Sequence, residues 1–135
     1  ELVWTASTKL LSGGQSTSVP CQGNYILKLN GHDRFASRNF RYFTRTQVWQ
    51  HHSGAGGLES ENTGAAAGKI DDSIGVYSFA LKPEEHQPSG TCNFSRIDNA
   101  RLECTSSSAA INKIFAVNYN VLRIMSGMGG LAYSN

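Results

Sequence analysis

The chain has 135 residues, 39% hydrophobic and 16% charged, which is the size of one domain and the composition of a folded one. Its net charge of +2 lacks the basic excess of a non-specific nucleic-acid binder, and no run approaches the roughly 18–20 apolar residues of a membrane-spanning helix. Cys21, Cys92 and Cys104 are odd in number and lack C-x-x-C spacing, so they fit neither a disulfide framework nor a zinc knuckle and read as reduced thiols in a cytosol-like compartment.

Leu2–Ala6 (LVWTA) reads as a strand, being β-branched and aromatic. Ser12–Ser18 reads as a polar loop. Tyr25–Leu29 (YILKL) is a second strand, closed by the turn pair Asn30–Gly31. Phe40–Trp49 (FRYFTRTQVW) mixes rings, β-branched residues and arginines and reads as mostly extended. A short helix competes, because Arg34, Arg38, Arg41 and Arg45 would line one helical face.

Residues 53–73 change texture, with five glycines and four acids against one lysine. So long a segment reads as a surface projection. Ile74–Leu81 is a strand stopped by Pro83, and Pro88-Ser89-Gly90 is turn chemistry. Thr91–Ile97 and Arg101–Thr105 read as short extended pieces. Lys113–Met125 is the longest strand-like run, apolar on both alternating faces, and Gly127, Gly129 and Gly130 then loosen the chain. Six or seven strands and no convincing helix argue for an antiparallel sandwich or barrel.

Charge is uneven. Residues 1–50 carry six Lys/Arg and two acids, residues 51–90 two and six, and residues 91–135 four and two. Such asymmetry marks faces that meet different neighbours.

Five groupings could carry chemistry. Glu84-Glu85-His86 places acid beside imidazole, but on an extended chain only Glu84 and His86 share a face, and the run reads as a polar turn. His51-His52 lacks a third ligand unless Asp71-Asp72 supply it, so it reads as packing and hydrogen bonding. A metal hydrolase would have to draw on these two groups. Cys92 or Cys104 with His86 has no catalytic signature around it. Arginines interleaved with Phe35, Phe40, Tyr42, Phe43 and Trp49 suit base stacking, but at this charge they suit a protein interface better. Asn93-Phe94-Ser95 is the one N-x-S/T triplet, making Asn93 the candidate for glycosylation.

The segments LNGHDRF (Leu29–Phe35), Tyr42–Phe43, QHH (Gln50–His52), YSFALKPEEHQPSGTCNFSRIDNARL (Tyr77–Leu102) and NVLRIMSGMGGLAYSN (Asn120–Asn135) resemble the C-terminal part of the major capsid proteins of nucleocytoplasmic large DNA viruses. The likeness runs in order from Glu1 to Asn135. It departs at residues 53–73, which are longer than the usual connection, and at Val48, which stands where proline is frequent.

The resemblance implies an all-β antiparallel jelly-roll sandwich, here the later part of the second jelly roll of a double jelly-roll protein. The chain is then expected to be a portion of a longer polypeptide, with unpaired edges and an uncovered core face. It implies a structural, non-enzymatic role without cofactor or metal: homotrimers of pseudo-hexagonal outline tiling an icosahedral shell. Partners would be neighbouring capsomers and minor capsid proteins, with host-surface contact and no direct nucleic acid. The place would be the virion, assembled in the host cytoplasm. Arg34, Arg38, Glu84, Glu85, His86 and Arg96 would meet neighbouring subunits. Trp4, Ile26, Leu27, Val76, Phe79, Leu81, Ile114, Phe115, Leu122 and Ile124 would fill the wall. The alternative is a glycan or host-receptor binding module acting through its outward loops.

Overall fold

A computed structural model describes residues 1–6, 8–10, 16–18, 23–54, 74–105 and 111–133. The expected projection over 53–73 lies almost wholly outside them, as do Cys21, Asp71, Asp72 and most of the expected loop at 12–18.

The described strands, in chain order, are β1 (Leu2–Ala6), β2 (Thr8–Leu10), β3 (Ser16–Ser18), β4 (Asn24–Leu29), β5 (His32–Asp33), β6 (Arg38–Asn39), β7 (Ile74–Tyr77), β8 (Ala100–Cys104), β9 (Ile111–Ala116), β10 (Leu122–Met125) and β11 (Met128–Leu131). Every described pairing is antiparallel. One sheet runs β7-β1-β9. A second centres on β4, which pairs with β5, β6 and β8. Two-stranded pairs β2-β3 and β10-β11 stand apart. The described strands thus form an all-β antiparallel arrangement, as the jelly-roll resemblance implies.

The core joins the two larger sheets. Leu2 and Trp4 of β1 pack with Tyr25 and Leu27 of β4, and with Phe40 and Phe43. Alternation explains the choice, since Leu2/Trp4 and Tyr25/Leu27 each lie on one face of a strand. Trp4 meets Phe43 edge-on at 5.1 Å between ring centroids, and Tyr25 meets Phe40 at 5.1 Å. Such ring pairs contribute beyond the area they bury.

Phe40–Trp49 is not extended. After β6 the chain enters a π-helical turn (Tyr42–Thr46), which continues into helix α1 (Gln47–His51). Phe40, Phe43, Thr44 and Gln47 are buried. Their spacing of i, i+3, i+4 and i+7 is an amphipathic helical face. Core attraction for that face overrides the poor helix preference of Thr44 and Thr46. Gln47, fully enclosed, donates from Nε2 to the Tyr42 hydroxyl (2.8 Å) and accepts from the Ser78 N–H (3.2 Å), locking the helical segment to the end of β7.

Four further expectations are corrected. Ser16–Ser18, expected in the polar loop, is a strand. The strand expected over Ile74–Leu81 ends at Tyr77, and Leu81 is exposed rather than core. Thr91–Ile97 contains a 3-10 turn at Phe94–Arg96, whose Asn93 side chain accepts the Ser95 N–H (3.0 Å). Lys113–Met125 is two strands in different sheets, broken at Val117–Val121. There the Asn118 and Asn120 side chains accept the next backbone N–H, at 2.9 and 2.8 Å, in place of a ladder.

Ile114, Phe115, Leu122 and Ile124, expected in the core, are each more than half exposed. Ile114 is the register partner of Trp4 and shares its face. However, β9 is the sheet edge among the described residues, and the packed residues lie toward β1 and β7. The β10-β11 pair turns through Ser126 (φ 51°) and Gly127 (φ 77°) and is exposed at all eight strand positions. A two-stranded hairpin is marginal in water by itself. Of the remaining core expectations, Trp4, Leu27 and Val76 are buried, and Ile26 and Phe79 are half-buried.

Candidate assembly surface

The residues expected at contacts fall in three places: Arg34 and Arg38 at β5 and β6, and the others on two loops. Arg34 follows β5, with its charge near the Tyr77 phenol. Burial pushes that phenol up from its ordinary value, while the Arg34 charge works against the shift. Arg38 lies 5.6 Å over the Tyr42 ring, a cation–π distance. Both arginines are exposed at the rim of the aromatic cluster rather than on one helical face.

The second place, the loop Leu81–Gly90, is tied down from within. Glu84 does not project. Its carboxylate accepts from the Ser53 hydroxyl (2.6 Å), from the Ser53 N–H (3.1 Å to each oxygen) and faces Nδ1 of His52 (3.1 Å). Those Ser53 bonds, with a smaller share from His52, hold the Glu84 carboxyl below the usual carboxylate range. Glu85 pairs with Lys82 at 3.0 Å, and its backbone carbonyl accepts from the Tyr119 hydroxyl at 2.9 Å. His86 is exposed, and no hydrogen bond joins it to Glu84 among the described residues. His51 turns Nδ1 to the Leu81 carbonyl (3.0 Å). No three or more His, Cys, Asp or Glu side chains among the described residues are grouped to hold a metal ion.

The third place is the loop that carries Asn93 and Arg96. Asn93 and Arg96 are exposed, and Phe94 stacks edge-on against Phe79 at 5.6 Å. The loop is fixed by a residue that sequence reasoning assigned only to a turn. Asn30, at φ 51°, accepts the N–H groups of Asp98 (2.9 Å) and Asn99 (3.2 Å) on Oδ1 and donates from Nδ2 to the Arg96 carbonyl (3.5 Å). Its own N–H donates to the Asn99 carbonyl at 2.8 Å. The Asn-Gly turn and the SRIDNA segment are therefore one unit. The only signal in the sequence was that both belong to the segments carrying the resemblance.

Large apolar side chains are exposed toward the end of the chain. Val117, Val121, Leu122, Ile124, Met125 and Met128 are among the exposed large hydrophobics, all from β9 onward.

Comparison with known proteins matches this arrangement. The family described as "Large eukaryotic DNA virus major capsid protein" matches residues 20–130. The chain belongs to that family. The major capsid protein of Phaeocystis pouchetii virus is 55% identical over 81% of this chain and 20% of its own length. That of Paramecium bursaria Chlorella virus 1 is 43% identical over 81% of the chain and 28% of its own length. The "PBCV-1 virus capsid, quasi-atomic model" superposes with a TM-score of 0.67 and 33% identity, over 99% of this chain and 43% of the other. This capsid-family chain thus spans well under half the length of these relatives.

Proposed function

We propose that the chain is part of a structural major capsid subunit of a large eukaryotic DNA virus, built into trimeric, pseudo-hexagonal capsomers of an icosahedral shell. The observation that carries this is the superposition of 99% of the chain on a protein of an assembled capsid, at 33% identity. The exposed apolar surface from β9 onward supports the reading, because a subunit completed by further polypeptide and by neighbours needs such a surface. The tied-down loops support it too. Preformed contacts lower the ordering cost of docking.

In this reading Arg34, Arg38, His86 and Arg96 carry the exposed polar contacts with neighbouring capsomers and minor capsid proteins. Glu84 and Glu85 act mainly by shaping the loop that presents His86. Interface charges of this kind set register and partner choice more than affinity. Asn93 is the position at which a glycan would be attached, since its amide oxygen is held by the turn and the residue is exposed. The role requires no turnover and no direct contact with nucleic acid, and the subunit belongs to the virion after assembly in the host cytoplasm.

Light scattering of the purified full-length protein tests the trimer. A mass of three chains is expected, and a monomer at all concentrations would overturn it.

A further inference from the structure

The side chain of His52 stands between two carboxylates. Its Nε2 lies 2.5 Å from Glu1 Oε1, and its Nδ1 lies 3.1 Å from Glu84 Oε1. The three groups come from separate elements: Glu1 precedes β1, His52 caps the C-terminal end of α1, and Glu84 sits on the loop after β7. Glu1 and His52 are mostly enclosed, with side chains 12% and 20% exposed.

A neutral imidazole has one N–H and one lone pair, so it can donate to only one carboxylate. Its other nitrogen would then face an oxygen lone pair. Both contacts become hydrogen bonds only when the trio holds one proton more than a neutral ring and two carboxylates carry. That proton resides on the ring or on Glu1. It does not reside on Glu84, whose oxygens are already bound by the Ser53 hydroxyl and N–H. The carboxylates lie at opposite ring nitrogens, so they do not close on one cation.

His51, Lys82 and Glu85, which neighbour the trio, are engaged elsewhere. On α1, His51 bonds the Leu81 carbonyl. On the loop of Glu84, Lys82 pairs with Glu85, and His86 is exposed. The Glu1 backbone nitrogen bonds the Val117 carbonyl at 3.0 Å.

We propose that Glu1, His52 and Glu84 form a proton-gated clamp that fastens the start of β1, the end of α1 and the loop after β7 to one another. It is closed when the trio holds the extra proton, and one of its two bonds is lost when that proton leaves. The second bond exists only while that proton is held, so the loop presenting Glu85 and His86 is held more firmly on the acid side of its loss. The clamp is a property of the chain and does not depend on the capsid reading.

Hydrogen exchange on the full-length protein tests it, followed in peptides covering Ser53 and Leu81–His86 and corrected for the intrinsic pH dependence of exchange. Protection is expected to fall by about tenfold between about pH 5.5 and about pH 8, the scale of one lost bond to a charged group. His52→Gln, which cannot take up the extra proton, should show the same protection at both values, and Glu84→Gln should likewise remove the step. Equal wild-type protection at both pH values would overturn the proposal without reference to any variant. So would an unchanged step in His52→Gln, because the bond would then be merely structural.

Discussion

Gly75 lies directly across from Trp4 in the β1–β7 ladder, and a Cβ on Gly75 would stand 2.6 Å from the indole and 2.7 Å from the Phe40 ring. The missing side chain makes room for the largest ring in the core. Gly75→Ala should therefore destabilise the fold by about 1–3 kcal/mol, the range for overpacking a filled core. Gly129→Ala, with nothing within 4 Å of the new methyl, is the control and should be near neutral. Denaturant midpoints of the two variants check both outcomes.

Asn30 joins the hairpin turn after β4 to the Asp98–Asn99 backbone. Asn30→Ala removes that acceptor and strains a residue at φ 51°. Asn30→Gly removes the acceptor alone. Both should lose stability, on the order of 1–3 kcal/mol for the unsatisfied backbone donors, with the alanine variant lower by the backbone strain. Thermal unfolding of the pair separates the two contributions.

Tyr77 gives an alkaline signature. Burial raises its phenol above the ordinary value of 10.0, and Arg34 opposes this. The folded state therefore holds the phenolic proton more tightly than the unfolded chain. That contribution to stability is full below pH 10.0 and is lost as pH rises through the folded value. Arg34→Gln should move the phenol still higher, as an ultraviolet difference titration will show.

Glu84 and Glu103 give the acid signature. Ser53 holds the first below the ordinary carboxyl value of 4.5, and Lys28, at 3.0 Å, does so for the second. Here the folded state binds the proton less tightly than the unfolded chain. The contribution is present above pH 4.5 and is lost as pH falls through the lower folded values. Lys28→Met should return Glu103 toward its ordinary value, and carboxyl titration by NMR of a labelled glutamate reads the change.

The strands that alternate cleanly or carry β-branched residues, β1, β4, β7 and β8, were legible in the sequence, as was the Asn30–Gly31 turn. The helical segment was read as extended because Thr44, Thr46, Val48 and the rings weighed against the helix that the arginine spacing offered. The decisive spacing was that of Phe40, Phe43, Thr44 and Gln47, which core burial selects. The break at Val117–Val121 was hidden inside an apolar run, because side-chain capping by Asn118 and Asn120 leaves no trace in periodicity. Of the candidate site, the residue types were visible but their pairing was not. Glu84 was set beside His86, its neighbour in sequence, whereas folding brings it to His52 from 32 positions away. Adjacency in sequence says little about which groups meet when the chain between them leaves the strand and returns.

The most direct measurement is a reconstruction, at side-chain resolution, of the virion whose genome encodes this chain. The account predicts density for Trp4, Tyr25, Phe40 and Phe43 clustered between two sheets in every repeating unit of the shell, with the β10-β11 hairpin covered on its apolar positions. A shell built from a different polypeptide, or this chain present only at isolated positions, would contradict it.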